Sequence, residues 1–310
     1  MNSPKFLNYE IRPLKFAERK MLSASLTKIC NHFKGEYQYI GLGGLTFTDF
    51  KLFHKELHIS ELTSIEGGDF SLEKLEYNAP FSFIKIIKDM STNVLGSIDY
   101  SKKSIVWLDY DGVLEEYMFT DLRILFSKLP KGSVYLVTCN RELKDNETQQ
   151  EYTLEQFKDE FGTLVPFKLT NTSFSGKENF NTIRTMFSQQ IDKALKERNN
   201  AENEESKFFQ LFNLCYQENR GARMYTFGGF IGESSFDLKT LELSSQEIVK
   251  TGEEPFHLKF PNLTLKEMDL INKNFGDEVK LQEMNIFKTA DVKKYYDTYK
   301  YLPMFLDVRM

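Results

Sequence analysis

The chain has 310 residues, 41% apolar and 27% charged, with a formal net charge of −5; its 28 phenylalanines and 15 tyrosines predict an aromatic-rich core. That length holds one large domain or a medium domain with an appendage, and the mixing of acidic with basic residues disfavours general duplex-DNA binding, which needs a clustered basic footprint. There is no run of 18 apolar residues and no signal-type core, and Cys30, Cys139 and Cys215 with four scattered histidines build neither a disulfide framework nor a zinc site, so a cytoplasmic protein without a membrane segment is expected.

Residues 1–15 read as irregular, with Arg12-Pro13 marking the turn into a helix over Phe16–Phe33 whose stripe is Leu22, Leu26, Ile29 and Phe33. Arg12, Lys15, Arg19 and Lys20 make its start basic. Either this is a solvated face, or it meets a phosphate, a carboxylate or a partner. Tyr37–Ile40 predicts a strand, Gly41-Leu42-Gly43-Gly44 a turn, and Thr46–Leu57 a helix capped by Thr46 or Thr48. Leu62–Glu66 predicts a further strand, and Phe81–Ile87 another, although its spacing also fits a helix. Ser104–Leu108 is a near-continuous apolar run, as in a central parallel strand, and it ends in Asp109-Tyr110-Asp111-Gly112. A helix over Phe119–Leu129 follows, and then a strand, Val134–Thr138, ending at Cys139-Asn140.

Residues 142–160 are charged and read as partly helical. Residues 177–198 predict a long helix carrying Ile183, Phe187, Ile191 and Leu195, and 197–206 a polar surface link. Phe208–Tyr216 reads as helical, while Met224–Ile231 and Phe256–Phe260 read as strands, either able to close the sheet antiparallel to the rest. Thr264 and Glu267 form a capping box for a helix opening near Leu263. The aromatic tail Val292–Phe305 packs back on the domain or supplies a protein-partner or homodimer contact. Strand–helix alternation with short glycine-bearing links calls for a parallel sheet covered on both faces.

In such sheets ligands sit outside the carboxyl ends of the strands. Those ends carry Gly41, Gly43 and Gly44, then Glu66, then Asp109 and Asp111, then Asn140. Glycine allows a sharp turn or close approach to a ligand, although tight strand–helix turns use it anyway. Glu66 lies 25 residues past Gly41, where a carboxylate can accept both hydroxyls of a ribose. Asp109 and Asp111 can share a proton, bind a divalent cation or hold a cationic group; alternatively one faces solvent and the other caps a helix. Phe47 occupies the third glycine position of G-x-G-x-x-G, which weakens a dinucleotide reading, and no G-x-x-x-x-G-K-[ST] loop is present.

The order Ile40-Gly41-Leu42-Gly43-Gly44, Glu66 and Leu108-Asp109-Tyr110-Asp111-Gly112 resembles the class I S-adenosylmethionine-dependent methyltransferases, closely over residues 35–140 and loosely over 141–262. The chain also resembles bacterial proteins with this core of the sort grouped with O-methyltransferases or with antiviral, phage-defence operons. The resemblance implies a Rossmann-like α/β fold with a mostly parallel seven-stranded sheet and helices on both faces. Its divisions are an N-terminal helical extension, 1–34; a core, 35–262, with a helical insertion about 142–218; and a C-terminal helical and aromatic extension, 263–310. It implies S-adenosylmethionine as cofactor, held by Gly41, Gly43, Gly44, Glu66 and Asp109, with Asp109, Asp111 and Asn140 as catalytic residues. Arg12, Lys15 and Arg19 would bind an anionic substrate.

Three departures bear on this. Tyr39 stands where the family has an acid two residues before the first glycine. Asp-Tyr-Asp-Gly replaces the Asn-Pro-Pro-Tyr of the amino-methylating DNA enzymes. In the cation-dependent O-methyltransferases an Asp follows strand four and an Asp-Asn pair follows strand five; Asp109 and Asn140 match two of these, with Cys139 at the third. A magnesium ion on Asp109, Asp111 and Asn140 is the corresponding expectation. The implied function is methyl transfer to a hydroxyl or amine of a small or nucleotide-like substrate. A degenerate nucleotide-binding sensor or partner subunit, and a metal-dependent nucleotide-using transferase, stay open beside it.

Overall fold

The computed structural model describes residues 12–145, 148–176, 178–218 and 221–303. Pro13 starts α1 (Pro13–Phe33), because a first-turn position has no use for the missing N–H. The chain then alternates: β1 (Tyr37–Gly41), α2 (Thr48–Leu57), β2 (Glu61–Ile65), α3 (Leu72–Asn78), β3 (Ile84–Ile87), α4 (Ser91–Val94), β4 (Lys103–Val113), α5 (Glu116–Phe126) and β5 (Val134–Asn140). After α6 (Leu154–Phe161) and the long α7 (Asn179–Glu202) come β6 (Ser206–Gln217), β7 (Arg223–Glu233) and β8 (Phe256–Leu258), then α8 (Leu265–Lys273), α9 (Glu278–Glu283) and α10 (Thr289–Thr298).

One sheet of eight strands results, in the order β3-β2-β1-β4-β5-β7-β6-β8. β3 through β5 are mutually parallel, and β7 inserts antiparallel between β5 and β6. The fold is the Rossmann-like one expected, with one strand more: β8 adds to β6 in parallel and so does not close the sheet antiparallel. Phe208–Tyr216 is strand, not helix. Its run is buried on both faces, and such a run has no period to separate strand from helix. The segment between β5 and β6 therefore ends at 205, and α7 extends through most of the expected surface link.

Side-chain alternation sorts the interior into two cores. Ile40, Val106, Leu108, Tyr135 and Val137 face α5 and α7. Tyr37, Tyr39, Ile105, Trp107 and Leu136 face α1 and α2. Burial of α1 residues Ala17, Leu22, Leu26 and Ile29 at 0% exposure makes this helix part of the second core. A separate small cluster of Ile271, Leu281, Val292 and Tyr295 holds α8–α10 together, and Thr264 with Glu267 forms the expected capping box. The tail aromatics pack partly among themselves, Phe275 meeting Tyr296 and Tyr299 and the Tyr295 hydroxyl donating to Asn272, and partly back on the domain, where Tyr301 packs against the core under α1. Phe305 lies outside the described residues. Among the described residues no helix is long and apolar enough to cross a membrane.

Two adjacent glycines let β7 fit between its neighbours. A Cβ on Gly228 would run into the Tyr135 carbonyl of β5, and one on Gly229 into the Phe209 carbonyl of β6. Since backbone cannot yield as a flexible side chain can, Gly229→Ala is expected to lower unfolding stability by about 3 kcal/mol, measured by urea titration.

Candidate functional site

The carboxyl ends of β1, β2 and β4 lie side by side, with Gly41 paired to Ser64 of β2 and Trp107 of β4. The glycine turn is built against β2. The Gly43 amide donates to Ser64 Oγ at 3.1 Å, the Gly44 amide donates to Glu66 Oε1 at 3.0 Å, and Ser64 Oγ donates to the same oxygen at 2.6 Å. A Cβ on Gly43 would sit 2.6 Å from Ser64 Oγ and 2.7 Å from the Phe47 ring, so this glycine is required by the turn itself. Phe47 adopts a left-handed conformation, φ 48°, that drives its ring fully into the core. Neither Thr46 nor Thr48 caps α2, because burial of Phe47 sets the turn and Thr48 Oγ1 donates to Thr46 instead.

Glu66 is only 7% exposed, and burial pushes its carboxyl up to about 7 despite the hydrogen bonds from Ser64, Gly44 and Gly43. The β3 end adjoins it: the Glu66 amide donates to the Ile87 carbonyl at 2.9 Å and Lys88 Nζ to the Glu66 carbonyl at 3.2 Å.

On the α1 side of the sheet a buried charge network meets this edge. Lys15 Nζ lies 2.8 Å from Asp109 Oδ2, 2.7 Å from Glu18 Oε2 and 4.5 Å from the centroid of the Trp107 ring. Glu18 Oε1 accepts from Thr226, which pairs with Thr138, and Thr138 accepts from Trp107 Nε1. Arg19 Nε donates to Asp49 Oδ1 at 2.8 Å, while the Tyr39 hydroxyl donates to Asp49 Oδ2 at 3.0 Å. Burial opposes the Arg19 charge, yet Asp49, Asp109 and Glu18 hold its pKa above the ordinary guanidinium value. Burial and the Asp49 charge keep the Tyr39 hydroxyl protonated, as a donor must be.

Lys15 and Arg19 are thus not an open basic face; both are buried and paired within the fold. The anion at the start of α1 is supplied internally, since Glu218 Oε1 accepts from the Lys15 backbone amide at 2.9 Å. Arg12 flanks the helix start, half-buried. Asp111 is exposed at the bulge where the β4–β5 register shifts, and Asn140, at the end of β5, accepts from the Glu142 amide at 3.0 Å.

The donor set does not fit the magnesium ion expected on Asp109, Asp111 and Asn140. An ammonium already compensates Asp109, and among the described residues no three His, Cys, Asp or Glu side chains gather to hold a metal. Cys139 is no substitute ligand: burial pushes its thiol up to about 12, far from the thiolate a metal takes. A cleft of about 980 Å³ opens at the opposite, amino edge, lined by Tyr37, Glu61 and Lys102 among others, away from all of these groups.

A model of the family described as "Putative O-methyltransferase" matches residues 7–310. The chain belongs to that family. Its fold is that of the Rossmann-like, S-adenosylmethionine-dependent methyltransferase superfamily. Solved structures similar to this family member include PigF with SAH, at 11% identity over 70% of this chain and 57% of that one, TM-score 0.35. The LepI complex with SAM follows at 10% identity, 66% and 46% coverage and TM-score 0.33. The CcbJ methyltransferase from Streptomyces caelestis gives 14% identity, 44% and 54% coverage and TM-score 0.31. The chain thus spans about half the length of these structures. No curated protein sequence matches it.

Sequence reasoning missed several residues that the fold of this O-methyltransferase-family chain brings to the edge. Asp89 and Met90, exposed just past β3, sit beside Gly67, whose added Cβ would fall 2.8 Å from the Met90 sulfur. Their position at a strand's carboxyl end was the available signal. Asp49 and Glu18 carried none, because only packing reveals their cationic partners.

Glu66 makes stability depend on pH. Its folded-state value of about 7 exceeds the ordinary value of 4.5, so folding favours the protonated form and this contribution is lost as pH rises through 7. Relative to wild type, Glu66→Gln is therefore expected to gain about 3 kcal/mol between pH 4.5 and pH 8, read from paired denaturant titrations.

Proposed function

We propose that this chain is an S-adenosylmethionine-dependent methyltransferase acting on a hydroxyl, or secondarily an amine, of a small or nucleotide-like substrate. The observation that carries the reading is Glu66: a buried carboxylate at the β2 tip, hydrogen-bonded to the glycine turn and next to the β3 end. Its Oε1 takes both the Gly44 amide and the Ser64 hydroxyl; a ribose diol offers the same donor chemistry to the carboxylate. Asp89 can accept from an exocyclic amine, and Met90, 48% exposed, offers a soft apolar surface to a base. These residues fit an adenosyl group.

When bound, the cofactor supplies an electrophilic methyl group on a sulfonium. The chain's part is alignment, because in-line displacement depends on holding donor and acceptor in register. Asp111, exposed at the β4 bulge, would take the acceptor's proton as the new bond forms, and Asn140 would hydrogen-bond the acceptor. Family membership supports oxygen as the acceptor atom. A second reading, a nucleotide-binding partner subunit without turnover, draws on Tyr39 and Phe47, which fill space beneath the turn with aromatic rings. Turnover separates the two.

Calorimetry with S-adenosylhomocysteine tests the proposal. Binding is expected in wild type and lost in Glu66→Ala. Since the diol is accepted by the ionised carboxyl, affinity should fall about tenfold per unit as pH drops below 7. Absence of binding at millimolar ligand would sink the reading, and binding without methylated product in a cell extract analysed by mass spectrometry would favour the partner subunit.

A further inference from the structure

The amino-acid head of the cofactor carries one ammonium and one carboxylate, and it needs a partner for each. In this chain the end of β1 offers no free acid: Tyr39 is neutral and points inward, and both oxygens of Asp49 are engaged, by Arg19 and by the Tyr39 hydroxyl. Glu66 is bound to the opposite side of the turn.

The other charges on the α1 side are Lys15, Glu18 and Asp109. Asp109 lies two residues past Trp107, the partner of Gly41, so it projects from the same sheet face just beyond the glycine turn. It is the accessible member of its pair, at 16% side-chain exposure against 1% for Lys15. Lys15 Nζ brings three donors to two carboxylates, Glu18 at 2.7 Å and Asp109 at 2.8 Å, so the ammonium can keep Glu18 while it takes a further anion.

We propose that the Lys15–Asp109 ion pair is the seat of the cofactor's amino-acid head, Asp109 accepting from the α-ammonium and Lys15 donating to the α-carboxylate. This rests on the S-adenosylmethionine reading above. The exchange conserves charge: a zwitterion replaces one ion pair by two, and every charged group keeps an opposite partner. Glu18 Oε2, 2.7 Å from Lys15 Nζ, retains the ammonium while Asp109 turns outward to the ligand. The pair thus discriminates by the head group, and an adenosine ligand lacking it gains nothing from the site.

Calorimetry compares S-adenosylhomocysteine with 5′-methylthioadenosine, which has the same adenosyl end and no amino-acid head. Wild type is expected to prefer the former by about 100-fold, and Lys15→Met and Asp109→Asn each to lose about tenfold or more of that preference while holding methylthioadenosine with little change. The double variant, which removes both charges together, should bind the two ligands alike, and thermal melts identify the variants that fold. A deamino analogue of S-adenosylhomocysteine adds a test on the unaltered protein: it should bind wild type about tenfold or more weakly than the parent. Equal affinity of wild type for S-adenosylhomocysteine and methylthioadenosine, or a preference unchanged in the folded variants, overturns the inference and leaves the cofactor reading standing. Binding of neither ligand by wild type overturns both.

Discussion

The buried charges between α1 and the sheet constrain everything at the carboxyl edge. Two cations, Lys15 and Arg19, are set against three carboxylates, Glu18, Asp49 and Asp109, and all but Asp109 are nearly inaccessible to water. Desolvating such groups is tolerated only when partners and hydrogen bonds remain in place, and removing one partner from a buried pair typically costs about 3–5 kcal/mol. The network therefore fixes positions more than it adds stability. Lys15 ties α1 to the end of β4, and Arg19 ties the same helix, through Asp49, to the first turn of α2. Because α2 follows the glycine turn, both sides of the proposed cofactor seat are referenced to one helix.

The turn is held from the other side by a hydrogen-bonded strap. Ser64 and Glu66 alternate along β2 and its end, and both reach the amides of Gly43 and Gly44. The glycines are thus explained first by local packing, since Gly43 has no room for a Cβ between Ser64 and Phe47. The proposed ligand role would be added to that requirement and would not replace it. The accumulation of polar groups at one edge carries the functional argument, above all an acid whose burial leaves it half-ionised near pH 7.

Much of the fold was legible because its signals are local. Glycine and proline punctuation, the apolar run Ser104–Leu108 and the acid-rich strand ends set the order of β1 to β5, and the Thr264–Glu267 pair marked α8 correctly. β6 was misread because Phe208, Phe209, Leu211, Phe212 and Leu214 give a nearly unbroken apolar stretch, which two-sided burial produces in either element. At the site, Glu66 and Asp109 could be named from strand ends alone. The state of Asp109 could not, because its partner Lys15 comes from a helix far away in sequence, and long-range ion pairing leaves no periodic trace. The same reason turned an apparent basic helix face into an interior one and set an ammonium against Asp109, where a metal ion was expected.

Tyr39 follows from the same electrostatics. Its ring packs edge-on against Phe50 and Phe53, and its hydroxyl completes the coordination of Asp49. An acid in its place would set a fourth carboxylate against two cations in a region closed to water. Either it would take up a proton or it would pull Arg19 away from Asp49. Once α1 brings Glu18, Asp49 and Asp109 into one buried cluster, position 39 must be occupied by a neutral donor. The carboxylate proposed to accept a cationic ligand group is then Asp109, where part of the side chain still reaches solvent. Tyr39 and the Lys15–Asp109 pair are in this sense one arrangement: packing α1 onto the sheet closes the first-strand position to negative charge and moves that charge to the fourth.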